Sequence, residues 1–262
     1  MSDQPGSVAL SGGTDLLLDL DDGRVATDRI VSLSRLPWNR LTRSDGRLRI
    51  GSTVPIRTLE RDPTLHEDLP GLYEAIQSVG SVPLRHRATV GGNLARSSPA
   101  SDLIPVLLAL DADVELVGPS GSRRVALDRF LRASRSVDLG PGELIEAVDV
   151  PARAPSAYSW QRVRPSNDIS QVGVAVARLP GPDRWTVALG GVVPRPIRLP
   201  DSEAILREAV PSEADQGRAA ELAARSAPFA TDRRASETYR RRLVEVLLKR
   251  ALSKAIAGRI GA

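Results

Sequence analysis

Residues 78–103 read SVGSVPLRHRATVGGNLARSSPASDL, and they separate one helical region of the chain from the next. From Gly80 to Asn93 the segment is rich in glycine, proline and basic residues and has no helical or strand periodicity, so we predict a loop with a binding role. The following run, DLIPVLLALD at Asp102–Asp111, predicts a helix. The pair Gly91-Gly92 is therefore expected in a loop that leads into a helix.

A second glycine pair, Gly12-Gly13, lies in the segment SVALSGGTDLLLDL at residues 7–20. This pattern predicts a short strand, a glycine turn and the start of a leucine-rich helix. Glycine lets a backbone approach a bound anion closely, and N–H groups at a turn or helix start point at phosphate oxygens. Two such loops suit the two phosphates of a dinucleotide, with further hydrogen bonds from the side chains of Thr14 and Asn93.

Neither glycine pair forms a known nucleotide-binding fingerprint. The patterns G-x-G-x-x-G and G-x-x-x-x-G-K-[ST] do not occur at these positions. Each pair by itself is more often a tight turn than a ligand site, and only their joint occurrence favours binding. The spacing alone does not identify the ligand.

The composition limits the chemistry available to the chain. It has 262 residues, of which 41% are hydrophobic and 26% charged, an ordinary globular composition that is sufficient for two domains. The lack of cysteine excludes disulfides, thiolate catalysis and an iron–sulfur cluster held by this chain alone. The two histidines, His66 and His86, lack the spaced partners of a metal site. Redox chemistry would therefore need an organic cofactor.

Charge and hydropathy bear on partners and location. The chain has 36 basic and 32 acidic residues, and arginine supplies nearly all of the positive charge. A net charge of +4 is mild at this length, so we predict no nucleic-acid partner. No run reaches the roughly 18 apolar residues of a membrane span. The opening MSDQPGSVAL has no basic region followed by an apolar stretch, and we expect a cytoplasmic protein.

Short strand-like and helical segments alternate along the chain, which predicts an α+β fold. The segment PARAP at Pro151–Pro155 has the composition of a linker. It divides the chain into a first domain at residues 1–152 and a second, smaller domain at residues 156–262.

The second domain is predicted to combine an antiparallel sheet with helices. Paired strands are expected at Ile169–Leu179 and Trp185–Val193. Helices are expected at Ser202–Val210, Ala214–Arg225 and Ser236–Ile260. The last helix is predicted to bury an apolar stripe made of Tyr239, Leu243, Val246, Leu247, Ala251 and Ala255.

Several motifs together resemble the FAD-binding subunits of the molybdenum hydroxylase family, which includes xanthine dehydrogenase, aldehyde oxidoreductase and carbon monoxide dehydrogenase. Besides residues 78–103, the motifs in the first half are GGTDLLLDL (12–20), RIGSTVPIRTL (49–59) and GELIEAVDVP (142–151). Those in the second half are VALGGVVPRPIRL (187–199) and RRASETYRRRLVEVLLKRAL (233–252). The resemblance implies an oxidoreductase with a two-lobed FAD-binding domain of the PCMH type, followed by a smaller domain of antiparallel sheet and helices.

The resemblance also implies which residues bind FAD; it implies no catalytic residue and no metal ligand in this chain. The first phosphate loop consists of Leu10, Ser11, Gly12, Gly13, Thr14, Asp15 and Leu16. The second loop and its neighbours are Ala88, Thr89, Gly91, Gly92, Asn93, Ala95 and Arg96. Ser101 and Asp102 are expected to contact the flavin side of FAD, and Val79 to lie near the adenine or the flavin. Ile145 is expected to make an apolar contact, and Trp160 to lie at a position that approaches the flavin.

Some positions depart from the family pattern. Trp160 or Gln161 occupies the place of a lysine that approaches the flavin in some relatives, which would leave tuning of the ring to backbone dipoles or Arg164. Ala88 replaces a usual glycine. The segment before Gly12 is shorter than is usual in relatives, where a strand and a helix pack beside the FAD site.

The resemblance implies partner chains. Molybdopterin on a large subunit and 2Fe–2S clusters on a small subunit would deliver electrons to FAD on this chain, which would pass them to NAD or another acceptor. A dimer of heterotrimers is the expected assembly. One alternative is a stand-alone FAD-dependent oxidoreductase of a specialised biosynthetic pathway, which the short N-terminal segment favours. Another is a basic interaction module that has lost its flavin.

Overall fold

A computed structural model describes residues 6–164, 167–181, 184–192 and 194–258. The first half contains β1 (Ser7–Leu10), α1 (Leu16–Asp21), β2 (Arg29–Ser32), β3 (Leu41–Ser44), β4 (Arg47–Gly51), α2 (Ile56–Glu60), α3 (Leu65–Asp68), α4 (Pro70–Ser78), α5 (Val82–Arg87), α6 (Val90–Arg96), α7 (Leu103–Ala109), β5 (Asp113–Gly118), β6 (Gly121–Ala126), α8 (Leu127–Phe130), β7 (Leu131–Ala133), β8 (Ser136–Val137) and β9 (Leu144–Pro151). The second half contains β10 (Ser156–Gln161), β11 (Val172–Leu179), β12 (Arg184–Gly190), β13 (Ile197–Arg198), α9 (Pro200–Glu203), α10 (Glu213–Ser226) and α11 (Glu237–Ala257). These mixed elements confirm the predicted α+β fold.

The first half forms two lobes. A small lobe consists of α1 and the parallel pair β1–β2, with Leu10 opposite Ser32. The larger lobe is an antiparallel sheet in the order β3-β4-β9-β5-β6, with α2 to α8 arranged around it. Its central strands carry residues that are fully buried, such as Ile50 and Val148. Among the helices, α2 and α4 bury Ile56 and Leu72.

The second half is built on the antiparallel sheet β10-β11-β12-β13, which confirms the predicted strand pairing within the described residues; Val193 lies outside them. This sheet is buried on both faces. In β11, Val172, Val174 and Val176 pack with α10 and α11, whereas the alternate residues Ala175 and Ala177 join the core of the first half. The small alanine side chains let α4 and α7 lie close to the sheet. The two halves therefore share one of their cores.

Three predictions of secondary structure need correction. The segment Gly80–Asn93 is not an irregular loop, because most of it lies in α5 and the start of α6. Ser81 and Thr89 begin these helices by accepting hydrogen bonds from Leu84 N and Gly92 N. The helix expected at Ser202–Val210 is the single turn α9, which begins two residues earlier and ends at Glu203.

The third correction concerns α11, which ends at Ala257; the predicted end, Ile260, lies outside the described residues. Tyr239 and Val246 belong to the predicted stripe but are 44% and 54% exposed. The residues buried instead are Arg240, Val244, Leu248 and Leu252, together with the predicted Leu247, Ala251 and Ala255. Arg240 is buried because it donates to the carbonyl oxygens of Gln171 and Gly191 and pairs with Asp232, bonds that no helical pattern reveals.

Within the described residues, no helix has the length and apolar character needed to span a bilayer.

Two helical glycines are expected to respond in opposite ways to alanine. A Cβ at Gly71 in α4 would lie 2.8 Å from Ala157 N in β10, so Gly71→Ala should lower the free energy of unfolding by about 1–3 kcal/mol. Gly217 in α10 has only Lys249 Nζ near it, at 3.9 Å, so Gly217→Ala should raise that free energy by roughly 0.5–1 kcal/mol. Urea unfolding of both variants measures the difference. Equal effects would contradict the close packing of α4 on β10.

Candidate functional site

A cavity of about 490 Å³ lies between the β1–α1 loop and α6, with β9 along one side. Of the residues predicted to bind a cofactor, the following line it: Ser11, Gly12, Gly13, Thr14, Asp15, Leu16, Ala88, Thr89, Gly91, Gly92, Asn93, Ala95 and Ile145. Arg96, expected beside them, lines it too. The structure thus brings the two glycine pairs, which are about 80 residues apart in sequence, to one site.

The β1–α1 loop presents backbone N–H groups that have no acceptor among the described residues. Leu17 N is the first amide of α1 with an acceptor, Gly13 O at 3.1 Å, and the amides of residues 11–16 make no such bond. Gly13 has a φ of +80°, a conformation that side chains disfavour. Consecutive unpaired amides at a helix start form a binding place for an anion such as phosphate. This part of the prediction agrees with the structure.

The second glycine pair behaves differently, and the expectation that it offers free amides is wrong. Gly91 N donates to Ser52 O at 2.9 Å, and Gly92 N donates to Thr89 Oγ1 at 3.1 Å. Both glycines lie in the first turn of α6 and not in a loop, and both amides already have acceptors within the protein. The carbonyl of Ser52 comes from the end of β4, a contact that the local sequence does not indicate.

The space available for a side chain differs among the glycines of the two pairs. A Cβ at Gly12 would overlap the backbone carbonyl of Arg87, and one at Gly91 would lie 2.6 Å from Ser52 Cβ. Both positions therefore require close backbone packing. Around Gly92 the one neighbouring atom within 4 Å is Thr89 Oγ1 at 3.0 Å, and its φ is not positive. Packing against other elements therefore constrains Gly92 less than it constrains Gly12 or Gly91, and Gly92 lines the cavity.

A hydrogen bond of 2.8 Å joins Ser11 Oγ to Thr89 Oγ1 and connects the first loop to the start of α6. The Thr89 hydroxyl also caps α6 through Gly92 N. On the far side of α6, Ser101 Oγ donates to Asn93 Oδ1 at 2.7 Å. This bond orients the Asn93 side chain, and Asn93 lines the cavity. Ser101 therefore positions Asn93 and does not itself line the cavity.

Charged side chains that the sequence did not single out stand at one end of the cavity. Asp19 of α1 is 3% exposed, and hydrogen bonding from Arg96 holds its pKa below the ordinary value. Arg24 donates to the same carboxylate at 3.1 Å. Arg135, on the turn between β7 and β8, lines the cavity as well. These residues were missed because their segments meet only in the folded chain.

The remaining wall is largely apolar, and it was also missed from the sequence. It is formed by Val8, Ala9, Val25, Leu33, Leu139 and Leu144. Ser52 joins them with a buried hydroxyl that has no hydrogen-bond partner in the described part of the chain. An unpaired buried hydroxyl is unusual in a folded protein, and it fits a site that a polar ligand completes.

Leu10, Val79, Asp102 and Trp160, four residues predicted to contact the cofactor, do not line the cavity. Leu10 ends β1 and Val79 follows α4, where it packs against the core. Trp160 stacks on Tyr158 with ring centroids 5.3 Å apart, and Arg162 lies 5.7 Å above its ring.

Asp102 is the centre of a buried network between the two halves. Its carboxylate accepts from Tyr158 Oη at 2.7 Å and Ser170 Oγ at 2.6 Å, and it pairs with Arg162 Nη2 at 2.7 Å. Burial raises the pKa of the Asp102 carboxyl, although Arg162 and the hydroxyl donors act in the opposite direction. Both carboxylate oxygens accept hydrogen bonds from protein groups. Gln161 and Arg164 also lie away from the cavity, and Arg164 pairs with Asp168 at 3.5 Å.

The cavity, the run of unpaired amides and the neighbouring arginines are the features of a protein that binds an anionic cofactor. Comparison with known proteins identifies that cofactor. A family model for the FAD binding domain in molybdopterin dehydrogenase matches residues 1–153, and one for the CO dehydrogenase flavoprotein C-terminal domain matches residues 157–255. The chain therefore belongs to the family of FAD-binding oxidoreductase subunits of the molybdenum hydroxylases, as its motifs indicated.

Individual relatives agree along nearly the whole chain. A xanthine dehydrogenase FAD-binding subunit of Escherichia coli O157:H7 is 29% identical over 266 residues, which cover 98% of this chain and 91% of that protein. The nicotine 6-hydroxylase medium subunit of Paenarthrobacter nicotinovorans is 28% identical over 260 residues, with coverage of 97% and 92%. Quinoline 2-oxidoreductase from Pseudomonas putida 86 matches in structure with a TM-score of 0.90, 25% identity and coverage of 98% and 92%.

Gly92→Leu is expected to separate cofactor binding from folding. Gly92 lines the cavity, and an added Cβ would meet one atom outside its own helix backbone, Thr89 Oγ1 at 3.0 Å, so unfolding of the apoprotein should change by about 1 kcal/mol or less. FAD affinity should fall at least tenfold, roughly the cost of a steric conflict above 1.4 kcal/mol. Fluorescence titration with FAD and urea unfolding measure the two effects. Gly91→Leu is the matched control, because its clash with Ser52 should destabilise the fold.

Asp102→Asn is expected to act on stability. It leaves Arg162 buried without its counter-charge, which should cost about 3 kcal/mol of unfolding free energy. Asp111 is 42% exposed in its pairs with Arg184 and Arg198, so Asp111→Asn should cost less than about 1 kcal/mol. Unfolding in urea compares them. A variant Asp102→Asn with unchanged stability and weakened FAD binding would show that Asp102 contacts the cofactor directly, as the sequence predicted.

Proposed function

We propose that this flavoprotein receives electrons from 2Fe–2S clusters on a small partner subunit and passes them to NAD or another acceptor. A large subunit with molybdopterin would oxidise the organic substrate. The unpaired amides of residues 11–16 carry the proposal, because they fit a diphosphate and so would hold a dinucleotide cofactor in the cavity. Bound FAD supplies two-electron redox chemistry and can exchange electrons one at a time with a cluster.

The chain's own residues supply binding and orientation. The β1–α1 loop would hold the diphosphate, and the bare backbone at Gly92 would let the cofactor lie against α6. Ile145 and the apolar wall would exclude water along the cofactor. We propose this role for the predicted site residues that line the cavity. Leu10, Ser101 and Asp102 do not line the cavity, and their role would be to support the residues that line it.

The names of relatives support the proposal of partner chains, and the composition of this chain is compatible with it. It contains no cysteine, so it cannot hold an iron–sulfur cluster through thiolates. Among the described residues, no group of three or more His, Asp or Glu side chains is placed to hold a metal. Relatives carry names such as nicotine 6-hydroxylase medium subunit and carbon monoxide dehydrogenase medium chain, which denote one part of a larger complex. We propose a dimer of heterotrimers in the cytoplasm.

We also propose that the chain divides into a FAD-binding domain at residues 1–152 and a second domain at residues 156–262. The matches of the two family models, which end at residue 153 and resume at residue 157, support this division. The segment between β9 and β10 is short, and β10 begins a separate sheet. The shared core indicates that the two domains move little relative to each other.

The proposed function is tested by purifying the chain alone and together with cysteine-rich and molybdopterin-binding chains from neighbouring reading frames. We expect the isolated chain to bind FAD and show a flavin spectrum. Anaerobic addition of N-heteroaromatic or aldehyde substrates should bleach the flavin only in the complex, because the isolated chain has no route from substrate to FAD. A complex rebuilt with Gly92→Leu is the control: substrate should reduce the molybdenum and iron–sulfur centres of its partner chains, where the electrons would remain, and the flavin signal should be weak because FAD binding is weakened.

Two results would contradict the proposal. One is a wild-type chain that binds no FAD at micromolar supply. The other is an isolated chain whose FAD is reduced by NADH and which turns over a substrate without partners. That second result would establish the stand-alone flavoenzyme instead.

A further inference from the structure

Four charged side chains line the cavity in the described part of the protein: Asp15, Asp19, Arg96 and Arg135. Their formal charges cancel. A diphosphate would add two negative charges beside the carboxylates of Asp15 and Asp19, which stand at the start of α1 next to the unpaired amides. Partial charges on those amides favour the anion, but the carboxylates oppose it. A cation that can leave its present partner is therefore needed near the phosphates.

Arg96 is already engaged by protein carboxylates. It donates to Asp19 through a short hydrogen bond and lies 3.3 Å from Asp15. Its side chain is 21% exposed, so it has little freedom to move. Arg96 thus keeps the carboxylates of α1 neutralised and holds α1 against α6.

Arg135 is far less engaged. Its nearest carboxylate oxygen within the described residues belongs to Asp19 at 3.8 Å, close to the limit of an ion pair, and the side chain is 52% exposed. If Arg135 moves away, the Asp19 carboxylate keeps its hydrogen bonds from Arg24 and Arg96, so its charge stays compensated. The guanidinium of Arg135 can therefore change partner at low cost.

The backbone fixes the place from which Arg135 acts. Arg135 has a φ of +59°, and Ser97, at the end of α6, has a φ of +46°. Both are non-glycine residues in the left-handed region, which persists only where surrounding structure holds it. Arg135 N donates to Ser97 O at 3.3 Å, and Ser97 Oγ donates to Ala133 O at 3.1 Å. The β7–β8 turn is thus attached to α6, and it presents Arg135 at the cavity.

We propose that Arg135 is a diphosphate-binding residue, which leaves Asp19 when FAD binds and pairs with the phosphates held by the β1–α1 loop. This rests on the proposed placement of FAD in the cavity. A guanidinium suits this task because its fork of donors matches phosphate oxygens. The contact also adds selectivity, because a flavin without a diphosphate gains nothing from it.

Apoprotein is titrated with FAD at low and high salt, and binding is followed by flavin fluorescence. Arg135→Gln should raise the FAD dissociation constant roughly tenfold at low salt, the usual effect of losing one charge-assisted hydrogen bond. The difference from wild type should shrink at high salt, because screening weakens a partly exposed ion pair. Arg135→Lys should retain part of the affinity, since it keeps the charge.

Arg135→Gly tests whether the effect comes from folding. Glycine adopts a φ of +59° without strain, so this variant should unfold no more easily than wild type and still bind FAD as weakly as Arg135→Gln. Arg132 is the matched control: it lies on the same hairpin, is 60% exposed and pairs with Asp138 at 2.8 Å, away from the cavity. Arg132→Gln should bind FAD like wild type.

The proposal is overturned if Arg135→Gln binds FAD like wild type, if Arg132→Gln loses as much affinity, or if the loss is the same at both salt concentrations. These outcomes require a wild-type protein that binds FAD, and they leave the proposed function intact. Failure of the wild-type protein to bind FAD would instead reject the proposed function itself.

Discussion

The close contact between the first glycine turn and the backbone before α6 determines the rest of the site. Gly12 lies so near the carbonyl of Arg87 that no side chain fits between them. The Ser11–Thr89 hydrogen bond joins the same two segments. Because of this contact, the amides of the β1–α1 loop and the bare backbone of Gly92 border one cavity. The small lobe is held to the large one at the point where the cofactor would lie.

The sequence predicted the parts of this arrangement that depend on local chemistry. The strand, turn and helix around Gly12-Gly13 follow from residues 7–20 alone, and so do the unpaired amides there. The second glycine pair could not be understood locally. The acceptor for Gly91 N is Ser52 O, 39 positions earlier in the chain, and the helix begun by Thr89 is too short to show periodicity. Motif resemblance placed these residues at the site, although spacing did not show how they act.

The burial of polar side chains is the feature that the sequence indicates least. The family resemblance implies that Asp102 contacts the flavin side of the cofactor, and the structure adds a buried network around its carboxylate. Its partners, Tyr158, Arg162 and Ser170, come from the second half and are invisible in a local pattern. Arg240 occupies a buried position of α11 for the same reason. The buried face of a helix is predicted from the spacing of its apolar residues. That prediction is therefore wrong where an arginine is buried by hydrogen bonds to carbonyl oxygens.

The unpaired amides of the β1–α1 loop also affect the stability of the protein before FAD binds. Until a diphosphate occupies the loop, water must accept the hydrogen bonds of its amides. The small lobe then lacks the contribution of a ligand that binds it. A ligand that binds only the folded chain shifts the folding equilibrium by mass action. Cellular flavin supply would then set how much of this subunit escapes proteolysis. A shortage of flavin would therefore lower the stability of this chain by leaving the loop without its ligand.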